Sequence, residues 1–304
     1  MLEMKKIELF GKELLVNDNL CLENPEAEQK FDPSLRLYIK ITDGCNANCD
    51  FCANKGCEDY GKLDLVKLKY VIEYLKEKNN LSNISITGGE PMNNPMLLES
   101  VINLIWTIDP NIRIAISTNG YKLREFAYFD GVDRLESIHI SRHHYLDEEN
   151  NKIFKSNLVA QSNDIIFLQS RLDDKKIINI NTMVMKGYID NLEEIKRMLN
   201  HVGRLGIYKD GFVSLMQVND YSKKHFINFN DIFKNLDDNF FVGHHFYNKC
   251  YCECLDGMYI TDLNTIVEFY ARMVKDCECN YTNQLVYTSD NKVTAGFGKK
   301  LILK

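Results

Sequence analysis

The chain holds ten cysteines, and all but Cys21 fall into two groups. Cys45, Cys49 and Cys52 are spaced C-x3-C-x2-C, with Cys57 just beyond them. Cys250, Cys252, Cys254, Cys277 and Cys279 form the second group. Clustered thiols in a reducing compartment argue for metal rather than disulfides, and the solitary Cys21 for a small buried hydrophobe. Three thiolates from one short loop can hold three irons of a cubane cluster and leave the fourth iron to a non-protein ligand. Structural zinc usually takes four protein ligands from two separated pairs, so the tight triplet suits it poorly. Cys57 as a fourth ligand would close the site. In the second group, alternate residues of an extended C-x-C-x-C segment face one side and present their sulfurs together. With the Cys277/Cys279 pair they suit a second metal site built from two segments, for which structural zinc is one candidate. His244 and His245 stand nearby, but five cysteines already supply enough ligands.

These residues need strand ends to position them. Residues 37–42, 84–87, 112–118, 135–141, 177–184 and 211–218 read as short buried strands rich in branched aliphatics. Helical spacing of apolar residues runs through 64–80, 96–108 and 191–206 between them. Strands alternating with helices imply parallel βαβ units, because parallel neighbours need a crossover. A hairpin, IELF-GK-ELLV, precedes them; 262–276 reads as a helix, and NQLVYTS and KVTAGFG as two late strands around Asp290-Asn291. Six βαβ units suggest a partly closed β/α barrel or a doubly wound sheet; the expected organisation is an α/β fold with an N-terminal hairpin extension (1–35), a partial (β/α)6 TIM-like barrel (36–240), and a C-terminal cysteine-rich domain (241–304).

Composition sets outer limits. With 304 residues, 45% hydrophobic and 26% charged, the chain has an ordinary globular balance, which excludes disordered and collagen-like classes. A net charge of −6 with no Lys/Arg block does not favour capture of nucleic acid or anionic membrane. No apolar run approaches a membrane span, and the N-terminus lacks a signal-peptide core, so a cytoplasmic protein is expected.

Taken in order, the motifs resemble the radical S-adenosylmethionine (SAM) superfamily. C-x3-C-x2-C, with Phe51 before its last cysteine, follows the first barrel strand. Ile86-Thr87-Gly88-Gly89-Glu90-Pro91 follows the second and resembles the family's GGEP motif. Ser117-Thr118-Asn119-Gly120, Ser141, Met183-Val184-Met185-Lys186-Gly187 and Leu215-Met216-Gln217-Val218 attend the next four strands. They fit the branch that includes the molybdenum-cofactor enzyme MoaA. The likeness spans residues 36–220. In parallel β/α folds ligands sit at the carboxyl ends of strands, where all these motifs fall.

The resemblance implies a 4Fe–4S cluster on Cys45, Cys49 and Cys52, with SAM chelating the open iron. The backbone of Gly88 and Gly89 would bind the SAM amino group. Glu90, Thr118 and Ser141 would make polar SAM contacts, Phe51 and Met216 would place the adenine, and Asn181 the ribose. One-electron reduction would cleave SAM to methionine and a 5′-deoxyadenosyl radical that abstracts hydrogen from substrate. An auxiliary 4Fe–4S cluster in the second cysteine group is implied too, with zinc or redox thiols as alternatives. Enzymes of this layout commonly modify ribosomally made peptides, which is the expected substrate; a nucleotide or sugar-like metabolite is the alternative. A flavodoxin- or ferredoxin-type electron donor and a separate leader-binding protein are the expected partners. The competing class is a non-catalytic Fe–S electron carrier, which would have no use for the Gly88-Gly89-Glu90-Pro91 pocket. The chain ends in Lys299–Lys304 rather than the Gly-Gly tail of MoaA, so molybdenum-cofactor synthesis is not expected. Beyond the family motifs, Arg142 is read as a partner for a ligand carboxylate, and His143 and His144 either as substrate contacts or as loop residues bonded to backbone.

Overall fold

Runs such as Leu35–Lys40 and Arg113–Thr118 carry aliphatic side chains at alternate positions, so one face of each strand is apolar along its whole length. The computed structural model describes residues 4–17, 35–54, 62–78, 81–172, 177–234, 243–246, 257–260, 265–270, 284–297 and 301–304. Cys21, Cys57 and all five cysteines of the second group lie outside these residues. Strands β1 (Met4–Leu9) and β2 (Lys12–Asn17) form a hairpin of their own. Then follow β3 (Leu35–Lys40), α1 (Leu65–Glu77), β4 (Leu81–Thr87), α2 (Pro95–Ile108), β5 (Arg113–Thr118) and α3 (Leu123–Phe126). β6 (Ser137–Ser141), α4 (Asp147–Phe154), α5 (Ser162–Arg171), β7 (Ile178–Val184), α6 (Leu192–Arg204) and β8 (Lys209–Ser214) complete the repeating part. After it come α7 (Asp220–His225), α8 (Phe229–Phe233), β9 (Gly243–Phe246), β10 (Gly257–Ile260) and β11 (Ile266–Tyr270). The last are β12 (Gln284–Tyr287), β13 (Val293–Ala295) and β14 (Leu301–Leu303).

Among the described residues, all strands but the hairpin join one twelve-stranded sheet, in the order β14-β13-β12-β3-β4-β5-β6-β7-β8-β11-β10-β9. The six expected strands are its centre, paired in parallel throughout. Two later strands widen the parallel set: β12 lies beside β3, and β11 beside β8. The aliphatic row, including Ile39, Ile86, Ile116, Ile140 and Ile180, is fully or almost fully buried in one core with Leu68, Ile72 and Ile105 of α1 and α2. The opposite row is polar. Ser117, His139, Asn179 and Lys209 stand in one continuous register across β5, β6, β7 and β8.

Three expectations change. Residues 262–276 are not a helix over their described part, because β11 occupies Ile266–Tyr270 and pairs with β8. Its pattern has period two: Val267 and Phe269 are buried, and the Phe269 ring contacts Phe212, Phe229 and Phe233 at 4.8–5.6 Å. The sixth strand ends at Ser214, so Leu215–Val218 lie beyond it rather than on it. In the hairpin, Leu9 pairs with Lys12, which makes Phe10-Gly11 the turn instead of Gly11-Lys12. Both turn residues have positive φ (51° and 69°), as a type I′ turn demands. Phe10 tolerates this because its ring stacks on Tyr74 and its N–H donates to the Tyr74 hydroxyl (3.0 Å).

One buried acid belongs to the core. Asp210 on β8 is wholly buried; its Oδ1 accepts from the Thr182 hydroxyl at 3.2 Å, and Oδ2 has no partner among the described residues. Burial pushes its pKa up to about 8. The folded protein therefore keeps a proton that the unfolded chain releases near pH 4. The stabilising difference between wild type and Asp210→Asn should fall as pH rises from about 4 to about 8 and stay level above that. Urea unfolding of both proteins across that range checks it; a difference independent of pH would contradict it. The β11 register makes a second prediction: Val267→Asp should cost roughly 3 kcal/mol or more, whereas Ile266→Asp, on the half-buried face, should cost clearly less. Equal losses in denaturant midpoint would contradict the strand.

Candidate functional site

The loop that follows β3 is held by backbone alone at its start. Ile41 N–H donates to Thr87 O (2.9 Å), Gly89 N–H to Thr42 O (2.7 Å) and Glu90 N–H to Gly44 O (2.9 Å). A Cβ on Gly89 would stand 2.1 Å from Gly44 O and 2.5 Å from Asp43 O, so only glycine fits there. Gly88 has φ +154°, and its Cβ would lie 2.5 Å from Thr42 O. The two glycines are thus set by the cysteine loop, and the Gly89 and Glu90 N–H groups are used by it.

Cys45, Cys49 and Cys52 lie close together beyond that contact. Cys45 is exposed, Cys49 buried and Cys52 half-buried. Ala47 N–H and Asn119 Nδ2 point at Cys45 Sγ (3.4 and 3.6 Å), and Asn54 N–H at Cys52 Sγ (3.3 Å). Burial raises the Cys45 thiol pKa, and it pushes Cys49 up to about 12 with help from the neighbouring Cys52 and Cys45. A thiol set of this kind gives up its protons readily only to a cationic partner. Among the described residues, no three His, Cys, Asp or Glu side chains converge on a single-ion site.

The loop is fastened on three sides. Toward β4 and β5, Glu90 is the clamp. Its fully buried carboxylate accepts from Met92 N–H (3.0 Å), Thr118 Oγ1 (2.7 Å) and Asn119 N–H (2.7 Å). Burial lifts its pKa to about 7 against the pull of those donors. Thr118 Oγ1 also accepts from Gly120 N–H (2.8 Å), so the hydroxyl is engaged as donor and acceptor. Toward β8, Asn219 Nδ2 donates to Asp50 O (2.9 Å). Toward β6, Lys155 pairs with Asp50 (2.6 Å), and Phe154 O accepts from Asn48 N–H (2.9 Å).

At the end of β6, Ser141 stands in register with Asn181 of β7, which brings these two expected site residues side by side. Phe51 packs between Cys49, Phe154 and Val159 on one side and Ile153, Met185 and Leu215 on the other. Met216 is 38% exposed in the segment after β8. Arg142 differs from expectation: it is fully buried and pairs with Asp147 (2.6 Å), which also accepts from Ser162 N–H and Oγ. A guanidinium already matched by a carboxylate inside the fold does not serve a ligand carboxylate. His143 and His144 are backbone-bonded, accepting at Nδ1 from Met183 N–H (3.1 Å) and Leu146 N–H (3.0 Å). The sequence reading missed Asn119 and Phe154 as partners of the cysteine loop. The Ser-Thr-Asn-Gly motif did signal Asn119.

Comparison with known proteins bears on the family and the fold. Residues 39–208 match the radical SAM superfamily. GTP 3′,8-cyclase of Aquifex aeolicus is 28% identical over 174 residues, covering 55% of this chain and 53% of that enzyme. The chain therefore spans about half the length of that relative. Among solved structures, native anSMEcpe with bound AdoMet aligns with a TM-score of 0.61 at 17% identity, over 89% of this chain and 78% of that one. SuiB of Streptococcus suis bound to precursor peptide SuiA aligns with a TM-score of 0.57 at 14% identity, over 86% and 58%. At these identities the structural likeness speaks for the fold, a partial TIM barrel. No helix among the described residues is long and apolar enough to cross a membrane. The family match covers more than half of the sequence, and the chain belongs to the radical SAM superfamily.

Proposed function

We propose that Cys45, Cys49 and Cys52 hold a 4Fe–4S cluster and that SAM lies beside it at the carboxyl ends of the strands. One observation carries this: three thiols stand together in a single fastened loop, Cys45 and Cys52 close enough to Cys49 to help raise its pKa. A cluster whose irons each take one sulfur suits that arrangement better than zinc does. With a cluster held by these three cysteines, the chemistry supplied would be one-electron reductive cleavage of SAM to methionine and a 5′-deoxyadenosyl radical able to abstract hydrogen from substrate. The protein's part is placement. Ser141 and Asn181 offer adjacent polar groups to SAM, and Phe51 and the exposed Met216 offer apolar surface for adenine. Glu90 and Thr118 hold the Gly88-Gly89 turn that faces the methionine end, and they act through it. A family member of this kind needs an external electron donor, for which a flavodoxin or ferredoxin is the expected type. Cys250, Cys252, Cys254, Cys277 and Cys279 are proposed as ligands of an auxiliary 4Fe–4S cluster.

The substrate we propose is a ribosomally made peptide, brought by a separate leader-binding protein. The polar wall of the sheet supports this. Lys209 is paired with Glu268 (2.7 Å) and Lys40 with Asp43, and His139 is neutral, its pKa lowered to about 4 by burial and by nearby Lys209 and Arg36. Ser117, Asn179 and Asn181 add uncharged donors and acceptors. Such a wall suits amide groups; a triphosphate calls for cations free to meet it. Peptides are also bound in SuiB and anSMEcpe structures of this fold. Relatives that are GTP 3′,8-cyclases favour the second reading, a nucleotide substrate.

The reconstituted protein, given SAM and dithionite without oxygen, should release 5′-deoxyadenosine, and a Cys45/Cys49/Cys52→Ala variant should release none. Replacing the five later cysteines by Ala should remove about half of the bound iron, as expected for one of two cubane clusters, without abolishing SAM cleavage. GTP should not stimulate turnover; stimulation would favour the nucleotide reading. Gly89→Ala tests the turn, since its methyl must displace Gly44. It should lower iron uptake and cost roughly 1–3 kcal/mol in urea unfolding. Wild-type behaviour in both assays would remove the turn from the site.

A further inference from the structure

His143 joins the cysteine loop to the carboxyl end of β7 through two different contacts. The first is a hydrogen bond. The last rung of the β6–β7 ladder is Arg142 N–H to Asn181 O (3.0 Å). Two residues further along β7, the donor that would extend this ladder is Met183 N–H. It finds no strand beside it, since β6 ends at Ser141, and donates to His143 Nδ1 at 3.1 Å. A backbone N–H can only donate, so Nδ1 is the acceptor and the proton sits on Nε2.

The second contact is aromatic. The His143 ring stacks on Phe154 (4.7 Å, 15°) and meets Phe51 edge-on (5.3 Å, 70°). Both partners belong to the cysteine site. Phe51 is the residue before Cys52, and Phe154 O accepts from Asn48 N–H (2.9 Å) and from Cys49 Sγ–H (3.9 Å). His143 is itself held: its N–H donates to Asn150 Oδ1 (2.8 Å), and the preceding Arg142 is locked to Asp147. It is 5% exposed, so the ring is a wedge rather than a surface group.

We propose that His143 is a positioning residue that fixes the cysteine loop relative to the end of β7, and with it the separation between cluster and adenosyl group. The inference rests on the assignment of Cys45, Cys49 and Cys52 as cluster ligands and of the β7 end as part of the SAM site. Phenylalanine at this position would keep the stack and lose the acceptor. Asparagine would keep an acceptor and lose the ring, and alanine would lose both.

The test uses the reconstituted full chain with His143→Ala, His143→Phe and His143→Asn. SAM affinity should weaken measurably in His143→Ala, because a loop no longer held to β7 must be ordered when SAM binds. The Phe and Asn variants should each recover part of it. The change that SAM produces in the electron paramagnetic resonance spectrum of the reduced cluster should shrink in the same order. A second arm needs no metal: in the apo full chain, alkylation of buried Cys49 by iodoacetamide, read by mass spectrometry, should be faster in His143→Ala than in wild type. Unchanged SAM affinity, spectrum and Cys49 reactivity in His143→Ala would overturn the proposal. Wild-type protein that binds no iron–sulfur cluster would instead overturn the ligand assignment, and the alkylation arm would still decide whether His143 holds the loop.

Discussion

Two stretches of bare backbone touch at the head of the site, and the rest of the arrangement follows from how closely they approach. Gly89 lies so near the carbonyls of Asp43 and Gly44 that no side chain fits between them. That approach lets Gly89 and Glu90 donate to the loop carbonyls, which fixes where the cysteine segment leaves β3. It also fixes Glu90, whose side chain turns inward and caps the Pro91–Asn93 turn while gathering Thr118 and Asn119 from β5. Asn119 then reaches Cys45. A steric condition at one glycine thus propagates through a buried carboxylate to Cys45, the most exposed of the three loop cysteines.

The sheet supplies the frame through division of labour between its faces. Aliphatic residues at one parity fasten the strands to the helices, leaving the other parity free to be polar. Polar groups on that face are affordable because hydrogen bonds within the fold satisfy most of them: Ser137 with His139, Arg36 with Asn83, Lys209 with Glu268. The buried guanidinium of Arg142 is likewise matched, by the half-buried Asp147, so that removing Asp147 would leave a buried charge without its partner.

How much of this was readable in advance depended on whether the signal was local. The six central strands and the helices α1, α2 and α6 announce themselves by periodicity, and the glycine turns by composition. β11 misled because Ile266, Val267, Phe269 and Tyr270 also satisfy a helical stripe; its partner β8 and the ring of Phe212 decide the matter. Residues 147–171 gave no expectation, although α4 and α5 lie there. α4 is dominated by acidic and amide residues, and α5 is capped by Gln161, an uncommon N-cap. The contacts of His143 with Met183 and of Asn119 with Cys45 join residues 40 and 74 positions apart. Nothing in either local sequence encodes the meeting.

The strand directions at the far end of the sheet extend the edge on which the candidate site stands. β11 runs parallel to β8, β10 antiparallel to β11, and β9 antiparallel to β10. Phe246, where β9 ends, and Gly257, where β10 begins, therefore both lie at the carboxyl edge of the parallel set, the edge from which the Cys45 loop departs. The rim on which the candidate site stands is therefore longer than the six central strands: β11 carries it one strand further in parallel, and β9 and β10 bring a strand end and a strand start to the same side.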